Sequence, residues 1–343
     1  MEMKNICYFR FLILMYIWML LCCSFSVSAK DPSGAEFIVK AVIPENQTDR
    51  NHTYFDLNMK ASQNQTIGVE IWNLTDQEIS IETHIHSATT NRNGVIEYGE
   101  RDVVPDASLV FQMKGIITCD SLVTVPANGK TVFKLQIQMP EKEYEGILAG
   151  GITFQLAENE IAEEAGSAGG YAIQNTYSYV IGIVLREDEK ELQPELVLND
   201  VFYNGETEMP ELSVNIRNIK AAYVNDLGVK ARIVRKETAK TLHQTTEEHM
   251  RMAPNSNFDF PIDLNGKSLS DGEFTLYINA ATAEKEWNWE KDFTIISGIA
   301  HAEETPIYDK TTRYLWLFAF VPAVLLSGII LYRYRFIAPQ SLI

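Results

Sequence analysis

The chain has 343 residues, of which 29 are basic and 46 acidic, and a formal net charge of −17. With 46% hydrophobic and 10% aromatic residues, it is too apolar for a disordered chain and long enough for about two domains with cores of their own. The acid surplus excludes nucleic-acid binding through bulk charge, and four cysteines exclude a disulfide-dense scaffold.

The first 29 residues read as an export signal. Lys4 and Arg10 form a basic leader, Phe11 to Leu21 is an unbroken apolar run, and Val27-Ser28-Ala29 supplies the small residues of a cleavage site. An uncleaved anchor is the alternative. A lipoprotein signal fits less well, because Leu21 and Cys22 precede the two leader cysteines where a small residue is wanted. Removing the leader leaves Cys119 alone, so no intramolecular disulfide can form in the exported part.

From Lys30 onward the dominant period is two. Ile79, Ile81, Thr83 and Ile85 alternate with Glu78, Ser80, Glu82 and His84. Thr131, Phe133, Leu135, Ile137 and Met139 alternate with polar or short residues. The same pattern recurs at Leu212, Val214 and Ile216, and at Phe258, Phe260, Ile262 and Leu264. Each predicts a strand with one buried and one wet face. Turn signals punctuate them at Asn93-Gly94, Asn128-Gly129, Asn204-Gly205, Asn265-Gly266 and Asp271-Gly272. The expected fold class is all-β: two Ig-like sandwiches in tandem. An acidic, glycine-rich stretch at 158–176 divides them. The expected domains are therefore a sandwich at 30–157, that linker, and a sandwich at 177–297, followed by a stalk at 298–313.

Tyr314 to Tyr332 carries no charge over nineteen residues, about 28 Å at helical rise and enough to span a bilayer. Aromatic residues bracket it, and Arg333 and Arg335 follow. With an exported N-terminus, the expected topology is one transmembrane helix at 314–332 and a basic cytoplasmic tail at 333–343. The ends carry a net of +1 (1–29) and +2 (314–343), leaving −20 on the ectodomain. Four Asn-x-Thr sequons, at Asn46, Asn51, Asn64 and Asn73, are read as chance in an Asn/Thr-rich sequence.

Several stretches carry a family likeness. They include Phe37 to Gln47, Tyr54-Phe-Asp-Leu57, Ala88 to Asn91, Asn93 to Ile96, Val123 to Pro126 and Gly146 to Ile152. This half resembles the peptidoglycan-binding domain of the WxL-interacting proteins. Tyr179-Val-Ile-Gly182, Lys230-Ala-Arg232, Met252 to Pro261 and Trp289 to Phe293 resemble the host-binding domain of the same family. The resemblance implies a Gram-positive cell-surface protein. Its implied partners are peptidoglycan, WxL-domain surface proteins and host extracellular matrix. It implies no catalytic residues and no cofactor.

The residues offer few chemical constellations. Glu82, His84 and His86 share one strand face at metal spacing, and a solvated face is the preferred reading. His243 and His249 are read as surface-loop residues. Cys119 has no sequence signature of a base, so a buried or half-buried structural role is expected. Adjacent glutamates (Glu163-Glu164, Glu247-Glu248) are read as solvated, and no catalytic motif occurs. The preferred binding surface is Thr89, Thr90, Asn91, Asn93 and Tyr98, a polar loop suited to glycan hydroxyls and peptide amides. Trp287 and Trp289, two apart, form a candidate aromatic platform, against a core-filling reading. The expected function is a non-catalytic scaffold and adhesion protein in the plasma membrane, its ectodomain facing the wall, with no metal and no nucleic acid. An extracytoplasmic chaperone holding a secreted client is the alternative, and a wall hydrolase a more distant one.

Overall fold

A computed structural model describes residues 35–100, 103–157, 178–205, 210–297 and 299–302. The expected signal peptide, the 158–176 linker, the 314–332 span and the basic tail lie outside the described residues. Among the described residues no helix is long and apolar enough to cross a membrane.

The chain is all-β, with sandwich-like sheets. Its strands are β1 (Phe37–Val42), β2 (Phe55–Asn58), β3 (Asn64–Asn73), β4 (Ile79–Ser87), β5 (Thr89–Thr90) and β6 (Ile96–Glu97). A one-turn helix α1 (Met113–Ile116) precedes β7 (Ile117–Thr118), β8 (Leu122–Val125), β9 (Lys130–Gln138) and β10 (Ile147–Leu156). Then come β11 (Ser178–Arg186), β12 (Leu196–Asn204), β13 (Glu211–Asn218), β14 (Val224–Arg235) and β15 (Lys240–Met252). The last are β16 (Ser256–Ile262), β17 (Gly272–Ala281), β18 (Glu286–Ile296) and β19 (Ile299–Ala302).

The described residues divide into two compact units. The first takes the chain up to Ala88, 98–103 and 110–191; the second takes 89–97, 104–109 and the chain from Leu192. The chain therefore passes between units five times.

The first unit packs a four-stranded sheet, β1-β3-β9-β7, against a five-stranded sheet, β2-β11-β10-β4-β8. Alternation decides the inner faces. Along β9, Phe133, Leu135 and Ile137 are buried and the residues between them exposed. β10 is buried along nearly its whole length because Leu148, Ile152 and Phe154 face the core and Tyr98 lies over Gly151 on the other side. β11 follows the acidic stretch in sequence, where the second sandwich was expected to start, yet it pairs antiparallel with β10 and parallel with β2. Its alternation is satisfied equally by either sheet, so only long-range pairing could assign it.

The second unit holds one eight-stranded sheet, β15-β14-β17-β18-β19-β12-β13-β16, and the small β5-β6 hairpin. The large sheet folds over a core that includes Phe258, Phe260, Phe274, Trp287 and Phe293. The Asp263 N–H donates to Thr245 Oγ1 at 3.0 Å, tying the chain just after one end strand, β16, to the other, β15. β19 occupies residues expected to begin a stalk. It turns back from β18 through Ser297, which has φ 51°, and pairs Ile299 with Ile296. His243 and His249 lie on β15 rather than in a loop. Its threonine-rich sequence suits an extended edge strand.

Candidate functional site

The glycines of β10 and β11 mark where something lies on the first unit's five-stranded sheet. Gly151 and Gly182 are register partners. A Cβ on Gly151 would come within 2.9 Å of Tyr98 Cβ and of Tyr98 O, and one on Gly182 would meet Tyr54 Cβ at 3.6 Å. Glycine inside the strand permits the close approach of Tyr98 at Gly151, while Tyr54 rests over Gly182 at an ordinary contact distance. Two tyrosines thus sit directly over adjacent strands. The parallel β2–β11 pairing delivers Tyr54, one residue before β2.

Imidazoles flank them. His52 stacks on Tyr54 with ring centroids 4.7 Å apart. His86, the register partner of Gly151, lies on β4 beside His84, their ring centroids 6.2 Å apart. Burial lowers the His86 pKa, opposed by Glu100 and reinforced by His84, so the ring is neutral at pH 7. His86 Nε2 and His52 Nδ1 are enclosed without a hydrogen-bond partner. Burial raises the Tyr54 pKa, with Asp56 and Tyr98 adding to the effect, so its phenol keeps its proton. Half-buried phenols and the neutral His86 imidazole over a glycine floor can stack on sugar rings and exchange hydrogen bonds with hydroxyl and acetamido groups.

The five loop residues expected to bind are placed in different units: Tyr98 in the first, Thr89, Thr90, Asn91 and Asn93 in the second. Thr90 is buried and bonds Ser256 Oγ at 2.6 Å, while its Oγ1 accepts the Ala253 N–H at 3.0 Å. Asn91 is committed to the turn. Its Oδ1 accepts the N–H groups of Asn93 and Val95, and its amide donates to Glu97 at 2.6 Å. Asn93 is exposed, and Thr89 is half-buried with its hydroxyl enclosed. Gly94, at φ +66°, fits against Met250; a Cβ there would lie 2.4 Å from Met250 Cβ. Gly94 O also accepts the Arg251 N–H at 2.7 Å. The hairpin is thus a packed part of the second unit.

Trp287 is 6% exposed and donates its indole N–H to Glu195 at 3.1 Å. Trp289 is half-buried and packed on the same core. Both side chains turn inward, as Phe293 and Ile295 do, so no exposed two-indole face forms. Cys119 is half-buried; burial raises its thiol pKa, with Thr83 Oγ1 3.9 Å from the sulfur. Glu82 and His84 are 3.8 Å apart. Among the described residues no group of three His, Cys, Asp or Glu side chains converges for a metal.

Tyr54 and the two glycines were legible only as family stretches. A glycine interrupting a strand pattern is the signal that points to the face.

Comparison with known proteins identifies the two halves of the chain. Residues 37–156 match "WxL Interacting Protein, peptidoglycan binding domain", and residues 168–302 match "WxL Interacting Protein, host binding domain". An all-β chain built of binding domains at the cell surface is the class these features define. The chain belongs to the WxL-interacting protein family. No curated protein sequence matches it. Among solved structures it is similar to a chaperone–tip adhesin complex of CFA/I fimbriae biogenesis, with 12% identity, 74% of this chain and 98% of that chain covered, and a TM-score of 0.32. It is also similar to the class 5 fimbriae chaperone CfaA, with 12% identity, the same coverages and a TM-score of 0.30. A third is the CsuC–CsuE pre-assembly complex of Acinetobacter baumannii, with 10% identity, 66% and 90% coverage, and a TM-score of 0.28. Likenesses this remote carry no functional weight.

Proposed function

We propose that the chain is a non-catalytic scaffold of the Gram-positive surface, built of two Ig-like sandwiches and anchored by one helix at 314–332. It binds peptidoglycan, gathers WxL-type proteins and contacts host matrix. The observation that carries this reading is the pair of family matches in order along the chain. The Tyr54–Tyr98 face is the peptidoglycan-binding surface. Its stacking and neutral hydrogen-bonding groups suit a glycan better than simple charge does, because the ectodomain is acidic.

The open edge of β9 is the strand acceptor for a WxL protein. β7 covers only Ile137 and Gln136. Among the described residues no strand pairs with Lys130 to Leu135 on that side. Main-chain pairing at such an edge supplies affinity without charge.

Sedimentation of the full-length chain with purified peptidoglycan tests the glycan surface. The Tyr54→Ala/Tyr98→Ala double variant is expected to lower the bound fraction about tenfold, two stacking contacts being worth roughly 0.5–1.5 kcal/mol each. Unchanged sedimentation of a folded double variant refutes the assignment. A client released and turned over during secretion, rather than held at the surface, favours the chaperone reading.

A further inference from the structure

The outer face of the second unit carries an open depression of about 570 Å³ that the preceding reading does not use. It lies across β14, β17 and β18, with Gln244 of β15 at its margin. The register makes two rows. Thr246, Lys230, Asn279 and Asn288 are neighbours across four strands, and Gln244, Arg232, Tyr277 and Glu290 form the next row.

The rows are polar in a directed way. Lys230 and Arg232 are exposed on β14, and neither pairs with a carboxylate among the described residues. The Arg232 guanidinium lies 4.5 Å from the Tyr277 ring centroid. Stacking holds the planar fork over the ring and leaves its N–H edges for an acceptor. On the far side, Glu286 accepts from Asn279 at 2.6 Å and from Asn288 at 3.1 Å, and Asn279 donates to Asn288 Oδ1 at 2.9 Å. That network fixes two side-chain amides in place. The β14 side is therefore cationic, the middle amide-rich, and the β18 side anionic.

We propose that this face binds a carboxylated polysaccharide, one uronate-type sugar at a time. The carboxylate pairs with Arg232 and Lys230, the geometry in which a guanidinium fork is strongest. Ring hydroxyls meet Gln244, Asn279 and Asn288, and Glu290 accepts from a hydroxyl at the far end. One Arg and one Lys match a polymer with one charge per repeat. A densely sulfated polymer would bring further charges against Glu286 and Glu290. The inference is independent of peptidoglycan binding, which is placed on the other unit.

The test is a titration of the detergent-solubilised full-length chain with a hyaluronan hexasaccharide, a heparin hexasaccharide and neutral chitohexaose. Saturable binding of the hyaluronan fragment is expected, weakened at least tenfold by Arg232→Gln and by Lys230→Gln and severalfold by Tyr277→Leu. Arg232 and Lys230 are exposed, so these two variants are expected to unfold with the parent. Absence of hyaluronan binding overturns the proposal, as does equal binding by chitohexaose or by Arg232→Gln. Tighter binding of heparin overturns the carboxylate assignment.

Discussion

Replacing Asp106 with alanine is expected to destabilise the second unit by about 3 kcal/mol, because it strips a nearly buried charge cluster of its centre. The Asp106 side chain is 1% exposed. It accepts from Arg217 Nε at 2.7 Å and from Arg217 Nη2 at 2.9 Å. The Ser108 N–H and hydroxyl donate to it at 2.8 and 2.7 Å. Removal takes the acceptor from a partly buried guanidinium, from the two Ser108 donors and from the Asn257 amide, which donates at 3.4 Å. Asp106→Asn keeps the shape and one acceptor, so a smaller loss is expected. Burial alone would raise the Asp106 pKa, but Arg217 and Ser108 outweigh it and hold the carboxyl at about 2, below its ordinary 3.8. The native state thus favours the ionised form. The stabilisation is fully present above about pH 4 and is lost as pH falls through 2. Urea unfolding with hydrogen exchange on β13 and β16 measures it. Asp106→Ala at parental stability, or an acid limb unchanged in Asp106→Asn, would show that this segment does not anchor in the second unit.

The second large effect is expected in the first unit, at Gly150. A Cβ there would stand 2.3 Å from the His86 carbonyl oxygen and 2.5 Å from Met113 Cγ. The first is backbone of the paired strand β4, so the sheet itself must move. Gly150→Ala should cost about 3 kcal/mol, at the upper end of ordinary overpacking, and speed exchange of the β4 and β10 amides. Gly182→Ala is the control. Its Cβ would find Tyr54 at an ordinary contact distance of 3.6 Å, and a change below about 1 kcal/mol is expected. Equal stability of the two variants would contradict the close β4–β10 approach.

The charge distribution gains meaning from these sites. Residues 30–313 carry −20, yet the Tyr54–Tyr98 face is built from phenols and a neutral imidazole, and the depression on β14 and β17 concentrates two cations without a carboxylate partner. A chain repelled by anionic polymers over roughly 8 Å at physiological salt would bind them only where local chemistry reverses the average.

Much of the fold was legible from local pattern. Period-two alternation located β4, β9, β13 and β16 with their buried apolar residues, because a strand with one core-facing side repeats every second residue; on β13 the polar positions Ser213 and Asn215, expected to be wet, are buried as well. The turns at Asn128-Gly129 and Asn265-Gly266 take the positive φ that such pairs favour, at Asn128 (φ 50), Asn265 (φ 52) and Gly266 (φ 68). The candidate sites were less legible. Thr90 and Asn91 are hydrogen-bonding residues in a polar loop, and nothing local distinguishes a side chain offered to a ligand from one spent on Ser256 or on its own turn. Trp287 and Trp289 share a strand face, but which face was buried depended on the strands beside it.

Local side-chain alternation, terminal apolar runs and family stretches are properties of consecutive residues, and the sequence by itself determined them: an all-β chain of the WxL-interacting family. Only the tertiary structure decided that β11 closes the first unit's sheet, that 89–97 and 104–109 belong to the second, and that Arg232 lies on Tyr277. Each of these depends on which distant strands pair. Pairing is settled by summed burial and backbone hydrogen bonds across the whole sheet, and no single segment carries that information.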